Sequence, residues 1–356
     1  MRVGRVGGIE DVGRETWRAL EPPEFPFFDF EFLRALERSG SVGRRSGWSP
    51  AYLVCSEASR VLGALCVYSK TDSYGEYIFD WEWARAYQQY GLPYYPKLVA
   101  AVPFTPATGP KLLVRQGANY ATRERVKGAL LDAAKELGVQ YGVSSSHALF
   151  VPEEELEDFE AHDFMVRHSL QFHWHNRGYD AFGDYLGALS GKRRRQISRE
   201  RRQLDGELEI EHLTGEALRP EHAALMHRFY LATLDGKWGV PYLNGAFFDA
   251  VFRAMRDRIL LVLASDTPAG PRPARSSSSR TVRCSGATGG PPRSGVTSTS
   301  SCATTRPSSS PSRGNSSSSR PARRASTSWR AGFCLPSPTA HTISGTPASG
   351  LRSGTT

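Results

Sequence analysis

Cysteine is scarce in the first 266 residues of the chain, which contain only Cys55 and Cys66. Two cysteines cannot build the disulfide framework of a small secreted domain, so a reducing compartment suits this sequence. No stretch approaches the ~18 apolar residues that a membrane-spanning helix requires, and the first residues contain no apolar run of signal-peptide length. We therefore expect a cytoplasmic protein without a membrane span.

Aspartate, glutamate and lysine are all absent beyond Asp266, although that segment contains 12 arginines. The whole chain has a net charge of +9. Of its 45 basic side chains, 33 lie in residues 1–266 beside all 36 acidic ones, which gives that part a net charge of −3. A basic excess normally indicates a polyanionic partner. Here the excess belongs only to the tail, so we expect no DNA partner.

The segment after residue 266 is also poor in aromatic residues. Residues 267–356 contain 23 serines but only two aromatic side chains, Trp329 and Phe333. Such a composition buries too little apolar surface to offset chain entropy, which predicts a disordered Ser/Arg-rich tail with no regular element after about residue 270. A natural linker, a tail that binds nucleic acid or anionic membranes, and a coding sequence read in a shifted frame would all look like this.

Four segments of the tail favour the shifted frame. Codons exist that encode SRPARRASTSWRAGF at residues 319–333 and VEAGAQGEHKLARGF in the neighbouring frame. In the same way, residues 281–290 are compatible with AVFGRYWG, residues 299–306 with HVELRYYQ and residues 273–279 with AGALFFV. We therefore predict a frameshift near residues 266–273.

The first half of the chain alternates strand and helix signals. Helical spacing of apolar residues predicts a helix over residues 29–38. Two apolar runs at residues 51–56 and 61–70, separated by a polar turn, predict a hairpin, and residues 97–103 predict a further strand.

The clearest helix is predicted over residues 122–137. Thr122 can cap its amino end, and Gly138 suits a left-handed carboxyl-terminal cap. A strand over residues 139–145 is expected to follow. A helix, a glycine and a strand in that order indicate an α/β fold with a mixed sheet.

The second half repeats this alternation. The predicted elements are a strand at 169–174, helices at 179–189 and 192–204, a strand at 208–212, helices at 220–235 and 247–256, and a strand at 259–264. A strand–turn–strand unit occurs in each half, which indicates two copies of one α/β domain. Because the frame is lost after ILLVLA at residues 259–264, we expect that strand to lack its hairpin partner.

An arginine-rich helix is the most distinctive feature of the sequence. Seven basic residues crowd it: Lys192, Arg193, Arg194, Arg195, Arg199, Arg201 and Arg202. Arginine forks bind phosphate and carboxylate oxygens in pairs, and a helix amino terminus adds its dipole. The helix is therefore a candidate site for a coenzyme pyrophosphate or a nucleotide-linked substrate. A solvated helix face is the alternative.

Two histidines, His173 and His175, alternate with Trp174 and would share one face of a strand. Such a pair can bind a metal, but no third ligand is evident, so we expect no metal. A general-base role is the second possibility. Structural histidines in the core are the third.

Three further groups of residues are candidates for a ligand site. The loop at residues 235–239 carries Lys237 and Trp238 and is followed by Tyr242, which suits either a substrate cleft or loop anchoring.

Residues 144–147 (SSSH) end a predicted strand at a sheet edge, where a Ser/His pair is conceivable, although no hydrolase elbow motif is present. Asp80, Trp81 and Trp83, with Tyr74 and Tyr77, are interpreted as an aromatic core, with a sugar-stacking cleft as the alternative.

Taken together, several segments resemble a known family. KTDSYGEYIFDWEWARAYQQYGLPYYPKLVAAVPFTPATGPKLL, SLQFHWHNRGYDAF, KRRRQISRERR and DGKWGVPYL are similar to segments of the predicted bacterial N-acyltransferases related to Fem-type peptidoglycan enzymes, within the GNAT superfamily. The resemblance covers about residues 10–264 and continues in the shifted frame.

The resemblance implies two tandem GNAT-like domains, at residues 1–163 and at residues 164–266, the second incomplete, followed by the tail at 267–356. It implies an N-acyltransferase that uses acyl-CoA, such as acetyl-CoA, or aminoacyl-tRNA, and an amine acceptor that includes peptidoglycan precursors. His173 and Lys237 would be catalytic. The implied substrate- and anion-binding residues are Trp174, Asn176, Lys192, Arg193, Arg195, Arg201, Trp238 and Tyr242.

In that family an acid–His–Lys motif and the second sheet complete the protein, and here both exist only out of frame. We therefore expect the chain as written to be impaired. A module that recognises peptidoglycan precursors without catalysis is the alternative function, and a nucleic-acid-binding protein is a third.

Overall fold

The computed structural model describes residues 1–204, 208–234, 240–266, 281–286 and 340–345. Its first part contains strands and helices in the order β1 (Arg2–Val6), α1 (Ile9–Val12), α2 (Arg14–Arg18), α3 (Phe30–Arg38), β2 (Trp48–Pro50), β3 (Tyr52–Glu57), β4 (Arg60–Leu65), β5 (Val67–Lys70), α4 (Trp81–Gln89), β6 (Lys97–Ala100), β7 (Leu112–Val114), α5 (Tyr120–Tyr141), β8 (Ser146–Leu149) and α6 (Leu156–Glu160).

The second part continues with β9 (Phe164–Ser169), α7 (Phe182–Gly187), α8 (Gly191–Arg202), β10 (Leu208–Leu213), α9 (Pro220–Leu234), α10 (Gly245–Ala254), β11 (Ile259–Asp266), β12 (Thr281–Gly286) and β13 (Ala340–Gly345). Short 3-10 turns lie between these elements at Pro26–Phe28, Arg44–Ser46, Glu153–Glu155, Gly215–Ala217 and Arg256–Arg258.

The described strands form three sheets, with the orders β1-β3-β4-β7, β2-β5-β6-β8-β13-β9 and β10-β11-β12. β6 and β8 run parallel, whereas the other described pairings are antiparallel. Helices cover the sheets, and the predicted mixed α/β fold is confirmed.

The predicted first hairpin is present, but its second strand is divided between two sheets. β4 pairs with β3, and after Cys66 the chain continues as β5, which pairs with β2. Gly63 in β4 lies so close to Val126 and to the Leu113 carbonyl that a side chain there would collide with both. This close approach lets α5 pack directly on the sheet.

The long helix differs from its prediction at both ends. Asn119, not Thr122, is the amino-terminal cap, and its side chain accepts a hydrogen bond from the Thr122 backbone N–H at 2.9 Å. The helix continues through Gly138 to Tyr141 and ends at Gly142, whose φ of 59° is left-handed. The predicted strand at 139–145 is therefore wrong, since residues 139–141 complete the helix, Gly142 caps it, and β8 begins only at Ser146.

The strand predicted at residues 169–174 is also misplaced. β9 ends at Ser169, because its ladder with β13 runs from Phe164 to Ser169 and stops there. The next residues bond elsewhere: the Gln171 side chain donates to the Pro106 carbonyl at 2.9 Å.

Two strands lie in the tail, contrary to the expectation that no regular element follows residue 270. β12 pairs with β11 from Ile259↔Gly286 to Ala264↔Thr281, so the strand at 259–264 does have a hairpin partner. β13 pairs with both β8 and β9. Ladder hydrogen bonds come from the backbone and do not depend on side-chain composition, which is why composition failed to predict these strands. The rest of the predicted tail lies outside the described residues.

The core joins the two predicted halves of the chain. One apolar cluster includes Trp17, Leu33 and Trp48 together with Phe247 and Leu261. At the contact of α3 with α10, the Phe32 and Phe247 rings meet edge to face at 5.7 Å. A second cluster lies between the sheets and α5. The division into domains at residue 163 stays a prediction.

Candidate functional site

A buried lysine forms the centre of the strongest polar cluster in the described residues. Lys97 begins β6, a strand whose four residues are all buried. Its ammonium donates to Glu76 at 2.7 Å, to Ser73 at 3.2 Å and to Asp80 through a short bond. A buried charge is tolerated only when it is paired and hydrogen-bonded, and here two carboxylates meet that need.

The loop between β5 and α4 supplies both carboxylates. Asp80 occupies the amino-terminal cap position of α4, but its carboxylate makes no capping bond. It accepts instead from Lys97, Ser73 and the Tyr94 hydroxyl, the last at 2.7 Å. Burial alone would raise the pKa of Asp80, but Lys97 and these hydrogen bonds hold it below its ordinary value.

The pKa of Glu76 is shifted in the opposite direction to that of Asp80. Burial raises the pKa of its carboxyl to about 7, although Lys97 opposes the shift. Its Oε2 bonds to Lys97, whereas its buried Oε1 has no hydrogen-bond partner among the residues that the structure describes. The next residue, Tyr77, has a φ of 63°, a left-handed value that is uncommon outside glycine. Such backbone strain tends to collect at functional sites.

His147 on β8 lies next to this cluster. Its Nε2 is 2.8 Å from Ser145 Oγ, 3.2 Å from the Tyr94 hydroxyl and 4.0 Å from Asp80 Oδ2. Burial, together with the nearby Lys97 charge, lowers the pKa of His147 to about 3, so the imidazole is neutral. The Ser/His pair considered at residues 144–147 therefore exists, with Asp80 beside it.

These groups line one cleft. Its walls are formed by Glu76, Ile78, Phe79, Asp80, Trp83, Lys97, His147, Leu149 and Arg167. Arg167 comes from β9, so the cleft lies between the loop before α4 and the six-stranded sheet to which β6, β8 and β9 belong. A cleft that joins carboxylates of opposite pKa shifts to a neutral imidazole and a guanidinium can move protons.

Aromatic side chains on this loop and on α4 are exposed, contrary to their interpretation as core. Trp81 is 52% and Trp83 48% exposed, and Tyr74 and Tyr77 are exposed as well. Phe79 and Trp81 stack on each other at 4.4 Å with an interplanar angle of 20°. The loop directs its polar side chains into the cleft, which leaves the rings at the surface.

The arginine-rich helix α8 has divided roles. Ser190 caps it, and Lys192, Arg195 and Arg201 are exposed. Arg194 instead donates to the carbonyls of Leu186, Gly187 and Leu189, which terminates α7. Arg194 is therefore structural.

Two other arginines of α8 have local contacts. The Arg201 guanidinium lies 4.2 Å from the centre of the Phe182 ring. Arg193 Nη1 donates to Gln196 at 3.0 Å.

The residues predicted before this helix are only partly brought together. Trp174 packs on Tyr185 of α7 at 6.1 Å, which connects it to the Phe182–Arg201 contact. The Asn176 side chain bonds twice to the Tyr179 backbone and shapes a turn.

The His173 and His175 rings stack with their centroids 6.3 Å apart. The two imidazoles therefore lie on the same side of the chain, although residues 173–175 are not part of a strand. His173 Nε2 is 2.8 Å from Gln171 Oε1.

The remaining predicted site residues follow α9. Lys237 and Trp238 lie outside the described residues. Tyr242 stacks on Phe104 at 5.0 Å and 10°, and its backbone N–H donates to the Tyr230 hydroxyl at 2.8 Å. The structure thus places Tyr242 against the first half of the chain, near the loop that carries Glu76.

Within the described ranges, no three His, Cys, Asp or Glu side chains gather as a metal site would require. None of the helices in these ranges is both long and apolar enough to cross a membrane.

Sequence analysis missed Lys97 and Glu76 as site residues. A lysine at the start of an otherwise apolar strand, KLVA, was an available signal, because such a lysine needs a buried partner. Glu76 and Asp80 lie four residues apart in the preceding aromatic segment and supply that partner.

A sequence profile of the FemAB-like family, described as peptidoglycan biosynthesis/recognition, matches residues 8–270. Among solved structures, the chain is similar to FemX, with 13% sequence identity and a TM-score of 0.38, over 74% of this chain and 58% of FemX. It thus spans little more than half the length of FemX. It is also similar to a tandem GNAT protein from the clavulanic acid biosynthesis pathway, with 13% identity and a TM-score of 0.26, over 74% of this chain and 69% of that one. No curated protein matches the chain.

Proposed function

Because the chain belongs to the FemAB-like family of peptidoglycan biosynthesis/recognition proteins, we propose that it is an N-acyltransferase that transfers an acyl or aminoacyl group to an amine. Its acceptor would be an amine of a peptidoglycan precursor. One observation carries this proposal. The buried carboxylate oxygen Glu76 Oε1 belongs to a residue that lines the cleft, and this oxygen has no hydrogen-bond partner among the described residues.

Glu76 is suited to deprotonate an amine. A general base works best when its pKa lies near the working pH, and burial raises the pKa of Glu76 to about 7. An acceptor amine in the cleft would donate an N–H to Oε1 and lose that proton to Glu76 as its nitrogen attacks the acyl carbon. His147 is a poor base because its pKa is about 3.

The transfer step conserves atoms and electrons. The new C–N bond forms a tetrahedral intermediate whose oxyanion needs a positive or N–H donor. Arg167 lines the same cleft and would supply that charge. Collapse of the intermediate breaks the C–S bond of an acyl-CoA, or the C–O ester bond of an aminoacyl-tRNA, and the leaving group takes up a proton.

The donor would bind through its phosphates on α8. Lys192 and Arg195 are exposed near the amino end of this helix, where the helix dipole also favours anions. Arg193 and Arg201 complete the proposed anion site, with Trp174, Asn176, Trp238 and Tyr242 as substrate-binding residues. His173 and Lys237 stay proposed catalytic residues.

The exposed rings on α4 favour one alternative, a module that binds peptidoglycan precursors without catalysis. Aromatic surfaces bind ligands without any proton transfer, so this alternative would leave Glu76 with a binding role only.

Acetyl transfer to a lysine-containing peptidoglycan stem peptide tests the proposal. The full chain, as written and with its reading frame restored, is incubated with acetyl-CoA and the peptide, and the product is measured by mass spectrometry. We expect transfer that Glu76→Gln lowers about 100-fold or more, the usual contribution of a general base. Glu82→Gln, on the exposed face of α4, is the matched control. Peptide binding that survives in Glu76→Gln without transfer by any variant would support the recognition module instead.

A further inference from the structure

Lys70 is a fully buried lysine to which the proposed reaction assigns no role. It lies in β5, directly opposite Trp48 of β2 and Lys97 of β6, so the three side chains share one face of the sheet. The Lys70 and Trp48 side chains are both completely buried, and the ammonium lies 4.2 Å from the centre of a Trp48 ring. A lysine without solvent needs acceptors inside the protein.

The acceptors of Lys70 lie in the loop that carries Glu76. Its Nζ donates to Asp72 Oδ1 at 3.1 Å and to the Tyr74 carbonyl at 3.1 Å. The same carbonyl accepts a hydrogen bond from Trp48 Nε1 at 3.0 Å, and Asp72 Oδ1 accepts one from the Tyr74 backbone N–H at 2.8 Å. Both backbone polar groups of Tyr74 are thus connected to Lys70, two residues before Glu76.

Gly75 transmits this constraint to Glu76. Its φ of 79° is left-handed, and a side chain there would come within 2.5 Å of the Phe104 ring and 3.2 Å of Trp48 Nε1. The Gly75 carbonyl also accepts a hydrogen bond from the Phe104 backbone N–H at 3.2 Å. Because this residue is packed so closely, the position of the Tyr74 carbonyl determines where the Glu76 side chain enters the cleft.

We propose that Lys70 is a positioning residue for Glu76. Together with Asp72 and Trp48 it forms a clasp that holds the backbone of the loop before α4 against the sheet and keeps the Glu76 carboxylate in the cleft. Lys97 cannot replace the clasp, because its ammonium bonds only to side chains of this loop. The inference rests on the proposed function, in which Glu76 is the base, and adds the residue that orients it.

Lys70 could instead act on Glu76 through its charge alone, and the two roles predict opposite changes. The charged and titratable groups around Glu76 are Lys70, Lys97, Asp80, Tyr95, His147 and Arg167. Loss of the Lys70 cation without movement of the loop would raise the pKa of Glu76. Release of the loop would hydrate the carboxyl and lower its pKa, because burial is the largest cause of the raised value.

A carboxyl NMR titration of the full chain, labelled with carbon-13 at glutamate, tests the clasp. The Glu76 signal is assigned by its absence in Glu76→Gln. In Lys70→Met we expect the pKa of Glu76 to fall from about 7 toward its ordinary value of 4.5. A rise would assign Lys70 a charge effect only, and an unchanged pKa would leave it no role at Glu76. Either result would overturn the clasp.

Two variants of Asp72 keep the test decisive if Lys70→Met does not fold. The Asp72 side chain is 35% exposed, so its replacement is tolerated more easily. Asp72→Asn and Asp72→Ala remove the same negative charge, but only asparagine retains an acceptor for Lys70 and for the Tyr74 N–H. We expect the pKa of Glu76 to be lower in Asp72→Ala than in Asp72→Asn. Equal titrations in the two variants would contradict the clasp.

The clasp and the proposed function fail separately. If transfer occurs, we expect Asp72→Ala to lower kcat about tenfold relative to Asp72→Asn, because small displacements of a catalytic group slow a reaction strongly. The KM for acetyl-CoA should stay unchanged, since the proposed donor site lies on α8. A Glu76 titration that depends on Asp72, without transfer by any form of the chain, retains the clasp and removes the enzyme. Equal kcat and equal titrations in the two Asp72 variants retain the enzyme and remove the clasp.

Discussion

At the scale of single residues, the buried Lys97 holds two carboxylates that would otherwise repel each other. Replacing Lys97 with methionine leaves Glu76 and Asp80 buried without their cation. Removing one partner of a buried ion pair costs about 3–5 kcal/mol of unfolding free energy. We expect Lys97→Met to lose about that much in urea denaturation.

The matched control is Lys135→Met, which breaks the exposed Lys135–Asp163 pair at 2.7 Å. Water screens that pair, so little change is expected. Equal stability of both variants would contradict the buried-network account.

Glu76 also makes stability depend on pH. Its pKa is raised to about 7 in the folded chain, so the folded state holds a proton that the unfolded state releases from about pH 4.5 upward. The stabilisation is complete below the unfolded pKa and is lost as pH rises through about 7. Asp80 acts in the opposite sense, because its pKa is lowered and its contribution is lost only when pH falls below its ordinary range.

We expect the unfolding free energy of the unaltered protein, relative to that of Glu76→Gln, to fall between about pH 4.5 and 7. His147 acts in the opposite sense in both proteins, because its pKa is lowered to about 3 and its contribution to stability is lost as pH falls from about 6.5. Asp29, whose pKa burial raises to about 6, contributes with the same sign as Glu76, so the difference between the two proteins isolates Glu76. Parallel curves for the two proteins would contradict the raised pKa.

At the scale of single elements, α5 shows what local sequence can and cannot predict. Its periodic apolar face predicted a helix correctly, since Val126, Leu130 and Leu137 are buried. Its end was misplaced at Gly138 because a glycine inside a helix and a glycine cap look alike in sequence. Tertiary packing decides between them: a side chain at Gly138 would come within 3.3 Å of Ser146 Oγ.

Two glycine substitutions in and after α5 should therefore have opposite effects. Gly142 has a left-handed φ of 59°, so Gly142→Ala should cost about 1 kcal/mol of stability. Gly128 lies within the helix and has room for a methyl group, so Gly128→Ala should gain about 0.5–1 kcal/mol. Thermal unfolding of both variants checks this, and a destabilised Gly128→Ala would indicate that the helix is packed more tightly than described.

Substitutions of the arginines of α8 should also have different effects, on ligand binding in some cases and on stability in others. Arg193 and Arg195 belong to the proposed anion site, and changing both to alanine should weaken a phosphate-bearing ligand such as coenzyme A by about 1–3 kcal/mol. Arg194 terminates α7, so Arg194→Ala should lower the melting temperature instead. Calorimetry with coenzyme A and thermal melting distinguish the two effects. Unchanged binding and melting in the double variant would return the helix to the solvated-face interpretation.

At the scale of the whole molecule, the α/β class and most elements of residues 1–266 could be predicted from hydrophobic periodicity. The cleft could not, because Glu76, Lys97 and His147 lie on three separate elements and meet only through the parallel pairing of β6 with β8. The exposure of Trp81 and Trp83 could not be predicted either, since an aromatic residue in a sequence looks the same whether it lies in the core or at the surface.

Restoring the reading frame tests the interpretation of the tail. We expect the restored protein to be more soluble and to protect residues 165–264 better than the chain as written, with residues 1–160 the most stable part of the latter. β12 and β13 reduce the number of exposed strand edges, and Phe247, Phe252 and Leu261 of the second half are buried in the shared core. The expectation therefore rests on the predicted frameshift alone. Soluble yield and hydrogen exchange compare the two forms. Equal solubility and equal protection would show that the tail as written completes the fold.

The pH dependence of acyl transfer tests the central claim most directly. The measurement is kcat/KM for acetyl transfer from acetyl-CoA to the lysine-containing stem peptide, in the unaltered protein and in Glu76→Gln, across the range around pH 7. We expect the rate to rise through about pH 7 in the unaltered protein, as Glu76 loses its proton, and this step to be absent in Glu76→Gln. The same step and the same rate in both proteins would show that Glu76 is not the base and that the cleft is not the site of the reaction.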